Sequence, residues 1–457
     1  MKRTLAFLAC SLTALPAPAE PSSPGTPADE TVLGTVEVNG SAGESLLPLP
    51  KMSVVPLVTT GAADNLVNLV VRRDVELSGQ FEVLDDNLSP QGPFTHTTPL
   101  DLASWRDKGA EYVLRVFAEP APNDSVKTEL VGEAYVTPMK GPQATAKTRA
   151  PGEASSGSPD AKAAYRTAIT TATTEVRAAA HRLVDRLLGA LTGRPGGFAS
   201  QMAYAETVGR WRRVFVIDSD GFDLRSVGPD RATAISPTFG PGDNVFYALS
   251  QDYSPFHLVF GPNATPVPIA IPGSIMGLAF SADHLRTALT VMDGGASQLW
   301  VGERGVLGPI ATPPFANHPV FGPTGKVAYV AGTPLQRVYI EGKAISPPGF
   351  MASAPVFCDT PQGLLVVYTV GVGAGADIIA TDTGGGGLRR LTQHEGANTY
   401  AACSPDGRLI SFFSTGKRGQ GAGLFLMPIQ RPWLAKKISN EIGESLRWER
   451  MAATPDK

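Results

Sequence analysis

The segment YAACSPDG, residues 400–407, joins a short apolar strand to a turn built from proline, aspartate and glycine. Related segments recur every 36 to 46 residues through the second half of the chain. They are SPTFGPGD (236–243), GLAFSAD (277–283), HPVFGPTG (318–325), APVFCDTPQG (354–363) and a truncated SLRWER (445–450). A strand-and-turn repeat with a period of about 40 residues predicts a β-propeller with one four-stranded blade per repeat, here six blades.

The truncated sixth copy indicates how the ring closes. It lies at 445–450 and supplies only part of a blade. We therefore expect one blade to combine strands from both ends of the propeller region, 198–453, which leaves no exposed sheet edge.

The bulk composition favours two or three globular domains and argues against nucleic-acid binding. At 457 residues with 42% hydrophobic residues, the chain can form more than one packed core. Its net charge of −3 lacks the basic surplus of nucleic-acid-binding proteins.

The first residues have the pattern of an export signal. Lys2 and Arg3 precede an apolar stretch too short to span a bilayer, and the tripeptide 17–19 (APA) fits a cleavage site. We predict a signal peptide over 1–19, cleavage after Ala19 and export to the periplasm. Residues 20–48 are rich in proline, glycine and alanine, which predicts a flexible tether.

Residues 49–195 are predicted to form a small α/β domain. Apolar periodicity predicts helices over 64–77 and from about 161 to 191, with short strands between them. Gly79 and Gly193 follow these helices, as glycine does at helix C-termini. The low-complexity stretch 137–160 is predicted to be a disordered loop within this domain.

The sequence lacks the common catalytic and cofactor motifs. It contains no G-x-S-x-G elbow, no P-loop and no CxxC, so we expect no cofactor, no metal and no enzymatic activity. The run 218–221 (DSDG) resembles the start of a calcium loop, but a turn is the better interpretation.

Two cysteines lie in the repeats. Cys403 occupies the position that an aromatic residue holds in the other copies, whereas Cys358 lies one residue after that position in its own copy. Because neighbouring strand residues point to opposite faces, we predict two separate buried thiols, not a disulfide.

The order of these segments resembles the TolB family of the Tol–Pal envelope system. The resemblance rests on 71–84 (VRRDVELSGQFEVL), 105–113 (WRDKGAEYV), 181–193 (HRLVDRLLGALTG), 216–221 (VIDSDG) and the repeats. It implies an α/β domain before a six-bladed propeller, and a non-enzymatic scaffold. In that family the propeller face binds the peptidoglycan-associated lipoprotein Pal, and the mature N-terminal segment engages the inner-membrane protein TolA. It also implies roles in outer-membrane integrity, cell division and macromolecule import. A divergent paralogue of the family fits the same residues.

Aligning the repeats places the residues before each signature at the mouth of the central channel. The candidate partner-binding residues are Ser236, Met276, Asn317, His318, Thr399, Tyr400 and Glu444. An aromatic side chain beside polar groups in a concave mouth is typical of a docking site. A histidine with a pKa near its ordinary value would make binding pH-sensitive, and His318 is the candidate.

The alternative is an enzyme or a carbohydrate-binding protein with a site in the channel. Glu444 is the one acidic residue among the rim candidates, whereas most glycosidases need two carboxyl groups. The sequence therefore favours the docking function.

Overall fold

A five-stranded mixed sheet with helices precedes a ring of six four-stranded antiparallel sheets. The computed structural model describes residues 47–59, 61–122, 124–138, 162–393, 396–416 and 419–450, and the architecture refers to these residues. The predicted fold class, an α/β region followed by a six-bladed propeller, is confirmed. The predicted signal peptide, nearly all of the tether and residues 139–160 of the predicted loop lie outside the described residues. None of the described helices is long and apolar enough to cross a membrane.

The α/β domain is built on one sheet with the strand order β2-β1-β3-β4-β5. β1 pairs in parallel with β2 and β3, while β3, β4 and β5 are antiparallel neighbours. The elements are β1 (Lys51–Val54), α1 (Ala62–Leu77), β2 (Glu82–Val83), α2 (Leu102–Asp107), β3 (Tyr112–Ala121), β4 (Asp124–Val136), β5 (Tyr165–Ala172) and α3 (Val176–Thr192).

Helices α1 and α3 pack against each other and against this sheet. Val67 and Val71 on α1 and Leu183 and Leu187 on α3 are fully buried, as the apolar spacing of three and four residues predicts. A β carbon at Gly132 would lie 3.1 Å from the side chains of Leu183 and Leu187. Glycine on β4 therefore lets α3 lie close to the sheet.

The predicted long helix over 161–191 was wrong in its first half. Residues Tyr165–Ala172 form β5, paired in register with β4, and the helix begins at Val176. The strand has the sequence YRTAITTA, whose threonines and isoleucine are β-branched and favour strands over helices. The apolar helical stripe starts only after this segment.

Each propeller blade is a four-stranded antiparallel sheet with one strand at the channel. From the channel outwards, blade 1 contains β29 (Glu444–Trp448), β6 (Gln201–Val208), β7 (Trp211–Asp218) and β8 (Arg225–Val227). Blade 2 contains β9 (Thr233–Phe239), β10 (Val245–Ser250), β11 (His257–Phe260) and β12 (Thr265–Pro266). Blade 3 contains β13 (Ser274–Phe280), β14 (Arg286–Asp293), β15 (Ala296–Glu303) and β16 (Val306–Pro309). Blade 4 contains β17 (Asn317–Phe321), β18 (Val327–Ala331), β19 (Arg337–Ile340) and β20 (Lys343–Ala344). Blade 5 contains β21 (Ala352–Thr360), β22 (Gly363–Val372), β23 (Gly375–Asp382) and β24 (Arg389–Arg390). Blade 6 contains β25 (Asn398–Cys403), β26 (Leu409–Ser414), β27 (Gly423–Pro428) and β28 (Lys436–Ser439).

The ring closes through its last strand. β29 pairs with β6, the first strand of the propeller, with Trp448 opposite Met202. The indole Nε1 of Trp448 donates a hydrogen bond to Ser200 Oγ at 2.7 Å and the side chain is buried. The predicted blade made from both ends of the propeller is confirmed.

A disulfide joins Cys358 in β21 to Cys403 in β25, with Cα atoms 5.4 Å apart, so the prediction of separate thiols was wrong. Adjacent blades of a ring present opposite sheet faces to each other. Consecutive residues of a strand point to opposite faces of the sheet. Cys358, one repeat position further along in blade 5, therefore points towards Cys403 in blade 6. The one-residue offset brings the two cysteines together.

Charged residues of α1 and α3 attach the α/β domain to the turn after β7. Arg177 on α3 lies with Nε 3.1 Å from Asp218 Oδ2 and forms a second ion pair with Asp220. On α1, Arg73 Nη2 donates to the backbone oxygen of Asp220 at 2.7 Å. The predicted turn at 218–221 is thus held by two arginines.

A buried His–Asp pair lies behind these arginines. Nδ1 of His181 is 2.6 Å from Oδ2 of Asp74, and the two side chains are 3% and 0% exposed. Burial by itself lowers the pKa of His181, but the neighbouring Asp74 carboxylate outweighs it and raises the pKa to about 9. Burial raises the pKa of Asp74 above its ordinary value. Asp220 and Arg177 are the other charges that act on the pair, with opposite signs.

The disulfide is expected to contribute measurably to propeller stability. It closes a loop of 45 residues, for which reduction should lower the free energy of unfolding by about 2 to 4 kcal/mol. Urea unfolding of the wild type with and without dithiothreitol measures this difference. The double variant Cys358→Ala/Cys403→Ala is the control, because the reductant should leave its unfolding unchanged. An equal response in both proteins would contradict the expectation.

Stability should fall in alkaline solution because of His181. Its pKa is raised in the folded protein, so its contribution is fully present below the unfolded value of about 6.5 and is lost as pH rises through about 9. We expect the difference in free energy of unfolding between wild type and His181→Gln to shrink by about 2 to 3 kcal/mol from pH 6.5 to 9. His96→Gln, at an exposed site, should show no such change. A difference that is constant with pH would rule out the charged pair.

Candidate partner-binding site at the channel mouth

The six inner strands run in the same direction and give the channel two distinct ends. We call the end at which they begin the open end, and the end at which they finish the domain end. The α/β domain contacts the turns that follow β7, β21, β25 and β27, all at the domain end. In the described part of the chain, the open end is therefore the face that the α/β domain leaves accessible.

A β-bulge interrupts each inner strand close to the open end. In five blades the first bulge residue has a left-handed backbone, with φ between +48° and +56°. These residues are Ser236, His318, Ala354, Tyr400 and Ser445. Opposite each bulge lies a buried aromatic side chain of the next strand, namely Tyr247, Tyr329, Tyr368, Phe412 and Tyr204 respectively. Packing of these rings holds a backbone conformation that costs about 1 to 3 kcal/mol per non-glycine residue.

The bulges bring several of the predicted site residues together. The rings of His318 and Tyr400 have centroids 6.3 Å apart, although they belong to blades 4 and 6, so this contact spans the channel. Ser236 Oγ donates to the backbone oxygen of Met276 at 2.8 Å and links blades 2 and 3. These four residues form two contacting pairs at the open end, which we call the rim.

The other three predicted residues are placed less centrally. Glu444 Oε1 lies 3.2 Å from the Arg212 guanidinium, with the carboxylate side chain 30% exposed. Asn317 has a buried Oδ1 without a hydrogen-bond partner in the described structure. Thr399 is half-buried and pairs with Phe413. No contact joins these three residues to one another among the described interactions, so they flank the rim separately.

A groove of about 610 Å³ opens beside the rim between blades 2 and 3. Met276 and Phe256 line it, and Tyr253 stands at its edge with 99% of its surface exposed. Sequence reasoning missed Tyr253 because it lies in the loop between β10 and β11, outside the repeated signature. Tyr253 and Asp252 both have left-handed backbone conformations, with φ of +61° and +49°.

The environment of His318 excludes the predicted pH response. Burial lowers the pKa of His318 to about 4, and the positive charge of Arg447 acts in the same direction. The imidazole is therefore neutral from pH 5.5 to 8, and the expectation that it titrates in this range was wrong. Sequence reasoning could have found Arg447, since the repeat alignment gives it the position occupied elsewhere by Thr238 and Ala279.

One group of side chains has the atoms to hold a metal ion. Within the described residues, ligand atoms of His181, Asp218 and Asp220 lie within 4.8 Å of one another. Both carboxylates already form ion pairs with Arg177. This group therefore acts as part of the attachment between the two domains.

Comparison with known proteins agrees with this architecture. Residues 38–132 match the family model described as the TolB amino-terminal domain. The chain is 28% identical over 209 residues to the "Tol-Pal system protein TolB" of Thiobacillus denitrificans, covering 45% of this chain and 42% of the relative. It is 26% identical over 309 residues to the protein of the same name from Anaeromyxobacter dehalogenans, covering 66% and 62%. The chain thus spans about half the length of the curated relatives it matches.

The solved TolB structure from Acinetobacter baumannii superposes on 89% of this chain and 98% of its own, with a TM-score of 0.69 and 16% identity. The chain is TolB-like. The family match covers residues 38–132, the first part of the N-terminal domain, and the structural match extends the likeness in fold to the propeller of this TolB-like protein.

The coupling between Arg447 and His318 can be measured directly. Replacing Arg447 with methionine removes the positive charge, so the pKa of His318 should rise from about 4 towards its ordinary value, with burial still holding it below 6.5. An NMR titration of the His318 ring resonances, assigned with His318→Gln, gives this pKa. Arg182→Met, at an exposed site on α3, is the control and should leave it unchanged. An unaltered pKa in Arg447→Met would show that burial alone sets it.

Proposed function

We propose that this TolB-like protein is a periplasmic, non-enzymatic docking protein of a Tol–Pal system. Its open end would bind the periplasmic domain of a Pal-type lipoprotein. The curated relatives named Tol-Pal system protein TolB support the system. The observation that carries the binding site is the accessible groove beside the rim of left-handed residues, on the face away from the α/β domain.

Exposed apolar side chains lie on the same end of the propeller as this groove and fit a protein partner. Tyr253 is 99% exposed, Met351 53% and Phe315 46%. All three lie in loops at the open end: Tyr253 between β10 and β11, and the other two shortly before the inner strands β21 and β17. Large apolar side chains clustered on one face are typical of interaction sites, and tyrosines often contribute most of the binding energy. Tyr253 and Met276 are the anchors that we assign to the partner.

The rim is better suited to docking than to catalysis. Glu444 forms an ion pair with Arg212, and it is the one acidic residue among the rim candidates, whereas most glycosidases need two carboxyl groups. Ser236 uses its hydroxyl to bond the Met276 backbone, and none of the described hydrogen bonds joins that hydroxyl to a basic side chain. The alternative of a channel enzyme or a carbohydrate-binding protein gains no specific support from these contacts.

A second partner would engage the N-terminal segment. Residues 20–48 precede the α/β domain, and the Arg431 guanidinium donates a hydrogen bond to Leu47 O at 2.9 Å where the described chain begins. We assign this segment to a TolA-like inner-membrane protein. Simultaneous contact with both partners would serve outer-membrane integrity, cell division and macromolecule import.

The proposed docking site is tested by alanine substitutions at the open end, with a matched substitution at the domain end as the control. Isothermal titration calorimetry with the purified periplasmic domain of the organism's own Pal-type lipoprotein should give Kd values at least tenfold higher for Tyr253→Ala and Met276→Ala than for the wild type. Loss of about 1.4 kcal/mol or more is ordinary for a buried interface anchor.

Leu285→Ala is the matched control, since Leu285 is 48% exposed in the turn after β13 at the domain end. It should bind like the wild type. Equal affinity of all four proteins would refute the site, and no binding by the wild type would refute the proposed partner.

A further inference from the structure

A ring of six residues lines the channel between the rim and the domain end, and one of them differs in charge from the rest. The repeat alignment gives the ring one member per blade, immediately before the last aromatic or cysteine of each signature. The members are Thr238, Ala279, Val320, Val356, Ala402 and Arg447. Five are small or uncharged, and Arg447 is the one charged member of this ring.

The Arg447 guanidinium has no carboxylate partner. Its Nη1 donates to its neighbour's backbone oxygen, Leu446 O, at 3.3 Å, and no ion pair involves it within the described residues. Burial and, to a smaller extent, the positive charge of Arg450 lower the pKa of Arg447 to about 10. Arg447 is half-buried, and a charge partly removed from water without a partner is costly, which is why such groups are normally paired in native proteins.

The other charges around this cavity do not neutralise Arg447. Arg450 adds a second guanidinium, whose Nη2 donates to Phe321 O at 2.7 Å. His318 is held neutral by its low pKa. Glu449 and Asp243 line the domain end of the same cavity, but neither forms an ion pair with either arginine in the described structure. Glu449 Oε2 instead accepts a hydrogen bond from Gln201 N at 3.0 Å.

The cavity has room for a small anion. Its volume is about 70 Å³, several times the roughly 15 Å³ of the same measure that one water molecule needs. The cavity is therefore larger than a single water site and includes Arg447 in its lining. A planar guanidinium offers paired N–H donors that match two oxygens of a carboxylate or phosphate group.

We propose that the channel of this protein binds a small oxyanion, a carboxylate or phosphate group, through Arg447 with Arg450 as a second cationic group. The site lies between the rim and the domain end, and its lining shares no residue with the proposed lipoprotein-docking groove. The oxyanion has two possible sources: a free small anion, or an acidic side chain that a bound polypeptide inserts into the channel.

Isothermal titration calorimetry at constant ionic strength tests the site with four probes. Sodium acetate and sodium phosphate represent free anions, and the capped peptides Ac-Gly-Glu-Gly-NH2 and Ac-Gly-Gln-Gly-NH2 represent an inserted side chain with and without charge. Acetamide is the neutral control for acetate. Saturable binding of acetate or phosphate supports the free-anion source. Binding of the glutamate peptide, but of neither free anion nor the glutamine peptide, supports the inserted side chain.

Two substitutions at Arg447 and one control assign the binding to this residue. Arg447→Met should weaken the observed binding at least tenfold, while Arg447→Lys, which keeps the charge, should retain it within a few-fold. Arg182→Met on α3 should bind as the wild type does. Arg447→Met removes an unpaired cation, so its thermal midpoint should equal or exceed that of the wild type.

Two results would overturn the proposal. One is a wild-type protein that binds none of the charged probes. The other is a folded Arg447→Met variant that binds them as tightly as the wild type. Either result is separate from the outcome of the lipoprotein titration, because the docking anchors Tyr253 and Met276 lie at the open end and outside this cavity.

Discussion

Pairing of the last strand with the first is the constraint on which the rest of the propeller depends. β29 supplies the innermost strand of blade 1, so the ladder between β29 and β6 joins two segments separated by almost the whole propeller sequence. Without it, blade 1 would lose its channel-lining strand and the ring would have an open edge. This strand and the residue after it bring Arg447 and Glu449 into the channel, so closure and the chemistry of the channel depend on the same short segment.

Closure also fixes the geometry of the open end. The bulge in each inner strand needs a partner strand whose aromatic ring packs beneath it, as Tyr204 packs opposite Ser445. A ring of blades then places these bulges at one level around the channel. Strained backbone often concentrates at functional sites, and here it turns residues from different blades, such as His318 and Tyr400, towards one another.

Buried ionic contacts join the propeller to the α/β domain at the opposite end. Asp185 on α3 accepts hydrogen bonds from the backbone N–H groups of Phe198 and Ala199, which lie where the chain passes into the propeller. Burial raises the pKa of Asp185 to about 7. Together with His181 and Arg177, this carboxyl group gives one helix three polar contacts that orient the two domains. The open end stays accessible because these contacts hold the α/β domain at the other end.

The sequence predicted the number of blades and the position of the mouth because both depend only on the repeat period and its alignment. It failed at β5, where the local pattern was compatible with both a helix and a strand. The segment was predicted as the start of the long helix, but its β-branched residues form a strand that pairs with β4. It also failed at His318, whose pKa depends on burial and on a cation supplied by another blade.

By itself, then, the sequence determined the repeat, the six-bladed ring with its closing strand, and the residues at each repeat position. The tertiary structure decided which of those positions meet. Adjacent blades face each other with opposite surfaces, so Cys358 and Cys403 form a disulfide although they occupy different repeat positions. Closure of the ring decided that Arg447 lies in the channel without a carboxylate partner, because only the assembled ring determines which charges share the channel.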